Sequence, residues 1–311
     1  MRIFSRVPNF AFMAHRRAAA VVSCVLILAS LVSISVRGLN FGMEFTGGLL
    51  VEVRGEQAVD LAEVRSVVDS LGIINGQVQS LGRGGEFSIR LPPQSGSENA
   101  NALEEQMLAA LRSRDPSTTV LQAEFVGPQV GRDLAEQGSL AMLIALLMIF
   151  TYVMFRFRWK LALGAIVALI HDVIITVGFF SVLGISFDLA VLGSVLAVIG
   201  YSLNDTIVVF DRVRENFRLL RRGTAEAIVD TSINQTLART LVTGMTTLMV
   251  LVALLLLGGE TLKGFSIALI VGIVIGTYSS IYVASVTALA VNVIPTDLIP
   301  PKREQAQDAL P

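Results

Sequence analysis

The sequence predicts a polytopic α-helical membrane protein with one small α+β domain outside the bilayer. Three observations carry that fold class. The 311 residues are 53% hydrophobic and only 16% charged, with a mean hydropathy of +0.68. Soluble domains carry about 25% charged residues, so the surplus apolar surface has to face lipid. Six apolar runs reach or approach the ~20 residues that cross the hydrocarbon core. Between the first two runs lies a polar stretch, residues 37–137, far too long for a turn between helices.

The elements follow in order. Residues 1–17 hold Arg2, Arg6, Arg16 and Arg17 and no acid, and residues 18–36 form an uncharged first span. No small-residue cleavage signal follows it, so it reads as a retained span rather than a signal peptide. Residues 138–294 carry the rest of the bundle. The second span is Gly138–Phe155, followed by Arg156, Arg158 and Lys160 in a short loop. The third is Leu161–Phe187, and after a turn at Asp188 the fourth is Leu189–Phe210. A basic segment, 211–239, precedes a fifth span ending at Leu257, and Gly264–Ile294 is the sixth. A tail, 295–311, holds Lys302 and Arg303.

Short loops rich in Lys and Arg stay cytoplasmic. Fifteen of the 24 basic residues fall in four clusters that lie on one side if the N-terminus is inside. The turns on the other side hold only Lys263, and the 37–137 domain has eight Arg against fourteen acids. Both termini are therefore expected in the cytoplasm and the domain in the periplasm.

Within that domain, Leu49–Arg54 alternates as a strand does, and Asp60–Leu71 has the apolar period of a helix, capped by Asp60 and stopped by Gly72. Gln77–Leu81 and Glu86–Leu91 read as strands around Gly84-Gly85, residues 92–97 as a loop, Glu98–Arg112 as a helix and Thr118–Phe125 as a last strand. The order β-α-β-β-α-β is that of a split βαβ, ferredoxin-like unit.

The composition also excludes functions. A lone cysteine, Cys24, rules out an intramolecular disulfide, and two histidines leave no metal site in prospect. No Walker lysine motif, HExxH or Ser/His/Asp constellation appears, so no cofactor and no catalytic residue are expected. A net charge of −1 gives no reason to expect a nucleic-acid partner.

The chemistry sits inside the spans. Asp205 lies in the fourth, beside Asn204 and near Ser202 and Tyr201. A carboxylate there costs about 2.5–3.5 kcal/mol on insertion scales and usually marks an ion or proton pathway. The alternative is a carboxylate that only pins the bundle. Arg239 enters the fifth span near the same depth. It is either the partner of Asp205 or a positive-inside arginine that snorkels to the headgroups. His171 and Asp172 lie roughly 16 Å into the third span at 1.5 Å per residue. They could relay protons or simply bond to neighbouring helices. As adjacent helical positions they are expected to point apart. Gly193 with Ala197, and Gly272 with Gly276, offer small-residue faces for close helix packing, within this bundle or against another.

Six stretches together resemble a known family. They are FGMEFTGG (41–48), VGPQVGRDL (126–134), His171-Asp172, IGYSLNDTIVVFDRVREN (199–216), INQTLARTLVTGMTTL (233–248) and IGTYSSIYVAS (275–285). The chain resembles the SecF branch of the SecD/SecF protein-export family over nearly its whole length. One departure is Met43-Glu44, where an aspartate is common. The resemblance implies a bundle of resistance-nodulation-division type, a SecD-like partner, the SecYEG channel, exported preproteins as clients and use of the proton-motive force at the inner membrane. It implies proton transport by Asp205 and Arg239. Two other functions compete: a proton-coupled efflux subunit and a passive assembly scaffold. A complete efflux pump needs two such halves and larger external domains, and a scaffold has no need of Asp205 in the bilayer.

Overall fold

A computed structural model describes residues 7–55, 60–71, 73, 76–81, 85–93, 100–220 and 223–293. The expectations for Gly72, Gly84, the 94–97 loop and the 295–311 tail lie outside these residues. Among them, six helices are long and apolar enough to cross a membrane.

A 3-10 turn at Phe12–His15 leads into α1 (Arg16–Arg37). A two-residue strand β1 (Asn40–Phe41) and a single helical turn α2 (Met43–Thr46) open the α+β domain. It continues through β2 (Gly48–Arg54), α3 (Leu61–Ser70), β3 (Gln77–Ser80), β4 (Glu86–Leu91), α4 (Ala100–Arg112) and β5 (Thr119–Val126). The sheet order is β3-β4-β2-β5, with every neighbour antiparallel. Alternation decides which side is buried: Leu49, Val51 and Val53 of β2 face inward with Phe87, Ile89 and Leu91 of β4. Val64, Val67 and Val68 of α3 and Met107 and Leu111 of α4 close that core. Asp60 occupies the N-cap position of α3, but its side chain accepts no capping bond.

Gly47 and Gly48 both have positive φ, 73° and 128°. A Cβ on Gly47 would sit 3.0 Å from Pro128 Cα, and one on Gly48 would run into the Leu91 carbonyl. Only glycine fits this crossing, where the domain meets the start of α5 (Pro128–Arg156). That helix begins ten residues before Gly138, because Pro128 supplies a first-turn residue after Gly127.

α6 (Trp159–Leu183) stops short of Phe187, which corrects the expected third span. Gly184 adopts φ 65° and ends the helix in the left-handed region. Ser186–Phe187 then forms β6, paired in parallel with Asn40–Phe41. α7 (Leu189–Leu219) follows, with Asp188 accepting from the Val191 N–H at 2.7 Å as its cap. α8 spans Ala225–Leu257. The basic segment is thus mostly helix, with α7 and α8 extended beyond the apolar stretch. Asn216 Nδ2 donates to Ser232 Oγ at 2.8 Å and to Gln235 Oε1 at 2.9 Å, and these bonds hold the two extensions together. The last span is α9 (Gly259–Ile281) and α10 (Val283–Ala290), interrupted at Tyr282.

α9 lies along α7. A Cβ added at Gly272 would overlap Val198, and one at Gly276 would approach Ser202 Cβ to 2.9 Å. The Gly272/Gly276 face therefore packs inside this chain. Gly193 and Ala197 are exposed instead, and nothing lies within 4 Å of a Cβ built on Gly193.

Candidate functional site

Apolar helices in lipid gain little by burying more apolar surface, so polar contacts and close packing decide how they pair. Two polar clusters within the spans take in carboxylates singled out in the sequence.

The first centres on Asp172, which is 0% exposed. His171 Nδ1 lies 2.9 Å from its Oδ1. The Ser202 and Ser279 hydroxyls donate to Oδ2 at 2.5 and 2.7 Å. Three helices, α6, α7 and α9, thus share one carboxylate. The expectation that His171 and Asp172 point apart is corrected here: the imidazole Nδ1 reaches the neighbouring carboxylate. Tyr278 stacks on His171 with centroids 6.1 Å apart, and its hydroxyl donates to the Ala19 carbonyl at 2.7 Å, which brings in α1. A Thr206–Ser280 hydroxyl pair at 2.8 Å continues the polar line between α7 and α9.

The second cluster lies between α7 and α8. Asp205 is 3% exposed, and its Oδ2 has no hydrogen-bond partner among the described residues. The same holds for the Tyr201 hydroxyl and Thr240 Oγ1. A Cβ on Gly244 would meet the Tyr201 hydroxyl at 3.7 Å. The helices are antiparallel, with Asn216 bonded to Ser232 and Tyr201 opposite Gly244. Stepping one turn along each helix from Tyr201 and Gly244 puts Thr240 level with Asp205.

Arg239 is close to that level, as its sequence position suggests, but it is exposed and forms no ion pair with Asp205 among the described residues. Neighbouring helical positions point about 100° apart, so Thr240 takes the place facing α7 and Arg239 is turned outward. Asn204 is exposed too. Of the residues singled out in the sequence, the structure joins His171, Asp172 and Ser202, and it puts Tyr201 and Asp205 on one face. Sequence reasoning missed Ser279, Tyr278 and Thr240. Serines and threonines in an apolar run facing an intramembrane carboxylate are the signal that could have found them.

A third group sits where the domain meets the bundle. Burial pushes the Glu44 carboxyl upward, helped by the nearby Asp188 charge and opposed by a backbone hydrogen bond and Arg90. Burial also raises Asp188, against the backbone N–H groups of its cap. Arg90 is lowered by burial and lies between the two acids electrostatically. Its Nη1 approaches the Phe41 carbonyl at 3.4 Å. Among the described residues no group of three or more His, Cys, Asp or Glu is arranged to hold a metal.

Comparison with known proteins gives this geometry a context. The family model described as "Protein export membrane protein SecD/SecF, C-terminal" matches residues 106–293, and the SecD/SecF GG motif matches 32–59. The protein translocase subunit SecF of Vibrio alginolyticus is 45% identical over 98% of this chain and 96% of its own length. The chain belongs to the SecD/SecF family. The SecF subunit of Pseudomonas aeruginosa is 46% identical over 98% of this chain and 99% of its own. The crystal structure of SecDF, a translocon-associated membrane protein from Thermus thermophilus, superposes with a TM-score of 0.82 at 38% identity. The match takes in 93% of this chain but 39% of that one. The molecule is a SecF-type accessory subunit of the Sec translocase machinery, a multi-pass membrane protein with one small α+β domain. The double glycine of the SecF motif is the Gly47-Gly48 crossing at the head of β2.

Proposed function

We propose that this SecF-type subunit works with a SecD-like partner beside the SecYEG channel, using the proton-motive force to promote export of preproteins across the inner membrane. The observation that carries the reading is Asp205: a carboxylate buried within a span, with one oxygen lacking any partner among the described residues. An ion there is expensive, and ionisable groups kept inside spans mark ion or proton pathways. Each charge moved across 100 mV is worth about 2.3 kcal/mol. That is enough to bias a two-state helix pair when protonation neutralises Asp205.

In this reading Arg239 assists from the outer face of α8, where its counter-charge comes from the SecD-like bundle. The exposed stripe of Gly193, Ala197, Gly200 and Asn204 on α7 lies against that bundle. Both termini are cytoplasmic and residues 37–137 periplasmic, as the basic loops favour. The bundle is of the resistance-nodulation-division type, and the strand order β3-β4-β2-β5 supports a ferredoxin-like domain.

The test is Asp205→Asn in membrane vesicles holding the SecD partner and the channel. The expected result is normal complex recovery with loss of the export that depends on the proton gradient. Full gradient-dependent export by the variant would overturn the reading.

A further inference from the structure

We infer that the α5–α6 loop and the neighbouring face of α7 form a binding site for the phosphate of an anionic phospholipid. The site is independent of Asp205 and of its proposed role.

A cavity of about 200 Å³ lies between these elements, lined by Phe155, Arg156, Phe157, Arg158, Leu161 and Arg214. Three arginines thus share one space. The nearby carboxylates are engaged: Asp211 pairs with Arg156, and Glu215 pairs with Arg212. Arg214 is only partly exposed, and its side chain has no hydrogen bond or ion pair among the described residues. A guanidinium held there calls for an anion with several acceptor oxygens. Phosphate is such a group, and arginine binds it through two parallel N–H···O bonds.

The place of the cavity in the fold selects a lipid over a free anion. α5 ends at Arg156 and α6 begins at Trp159, and both are spans, so the loop between them lies at the bilayer edge. Arg214 is about one turn past Phe210, where the apolar stretch of α7 ends. Phe155 and Trp159 are both exposed, and aromatic side chains at the ends of spans sit level with the headgroups. Met148 and Tyr152 continue from Phe155 along one face of α5, and both are exposed too. That face gives acyl chains an apolar surface next to the cavity. Basic pockets between spans hold anionic headgroups in this way. The bound lipid bridges the extension of α7 to the α5–α6 loop, beside the Arg156–Asp211 pair.

The test uses the full-length subunit in detergent and counts retained lipid by native mass spectrometry. The probes are phosphatidylglycerol and phosphatidylcholine of the same chain length. Phosphatidylglycerol should be held about tenfold more tightly than phosphatidylcholine, and Arg214→Gln should cut that preference about fivefold, the effect of one arginine at a membrane surface. Arg17→Gln removes a charge from the same end of the bundle but outside the cavity, and should keep the parent preference. Equal retention of the two lipids by the parent would overturn the inference. So would an undiminished preference in Arg214→Gln. An equal loss in Arg17→Gln would overturn it as well, since general surface charge would then explain the binding. Inorganic phosphate that displaces phosphatidylglycerol at equal concentration would show a free-anion site and sink the lipid assignment. Should Arg214→Gln fail to fold, Arg158→Gln takes its place, with the same expected loss and the same overturning result.

Discussion

The Ser279 hydroxyl donates to Asp172 Oδ2 at 2.7 Å and so ties α9 to a charge carried by α6. Ser279→Ala removes that donor and leaves Ser202 as the carboxylate's remaining hydroxyl partner on Oδ2. Hydrogen bonds between helices in membranes are worth roughly 0.6–2 kcal/mol. We expect a loss of that size in unfolding of the detergent-solubilised subunit. A stability equal to the parent's would mean that the bond contributes nothing.

Glycine positions on α9 and α7 should respond in opposite ways. Gly272→Leu drives a side chain into Val198 and should destabilise the bundle by about 1–3 kcal/mol or more, the usual range for overpacking. A Cβ built on Gly200 meets nothing within 4 Å, so Gly200→Leu should leave the isolated subunit as stable as before. Its expected defect is weaker recovery with the SecD-like partner. Comparing thermal unfolding with co-purification for the two variants checks both statements.

Arg239 is exposed and has no ion pair with Asp205 among the described residues. Arg239→Ala should therefore leave the unfolding of the isolated subunit unchanged, within about 0.5 kcal/mol as for most surface changes. In the complex, export driven by the proton gradient should fall. A large loss of stability in the isolated subunit would point to an internal partner for the guanidinium instead.

The Glu44–Arg90–Asp188 group predicts a pH dependence with a definite sign. Burial is the largest cause raising both acids above their ordinary values of 4.5 and 3.8. Over the window just above those values the folded chain keeps protons that the unfolded chain has lost. Stability contributed by these groups is therefore greatest at low pH and falls as pH rises through the window. Glu44→Gln mimics the protonated group. It should unfold slightly later than the parent at neutral pH, by at most about 2–4 °C, and converge with it near pH 4. A variant that melts earlier at neutral pH would show that the Arg90 attraction outweighs burial.

Much of the fold was legible because strands and spans are written in period and length. Leu49, Val51 and Val53 alternate, and β2 falls where they do. The third span was read too long because Ile185 and Phe187 are apolar enough to continue a helix. Gly184 and pairing with Asn40–Phe41 end it, and pairing with a distant segment has no local signature. The candidate site was half legible. Asp205 and Asp172 stand out as charges in apolar runs. Which way Arg239 points is a matter of one residue's rotation about α8, below what depth along a helix can resolve. Ser279 gives no such signal, since size is visible in a sequence and a hydroxyl's target is not.

The two-residue pairing of Asn40–Phe41 with Ser186–Phe187 is reinforced by the Gly42 N–H donating to the Phe187 carbonyl at 2.8 Å. It fastens the root of the α+β domain to the linker that immediately precedes α7, the helix that carries Asp205. The domain's base and the start of α7 therefore share one hydrogen-bonded joint, with Phe187 one residue from the Asp188 cap. The clasp is a shared footing: the chain leading to β2 and the chain entering α7 rest on the same backbone bonds.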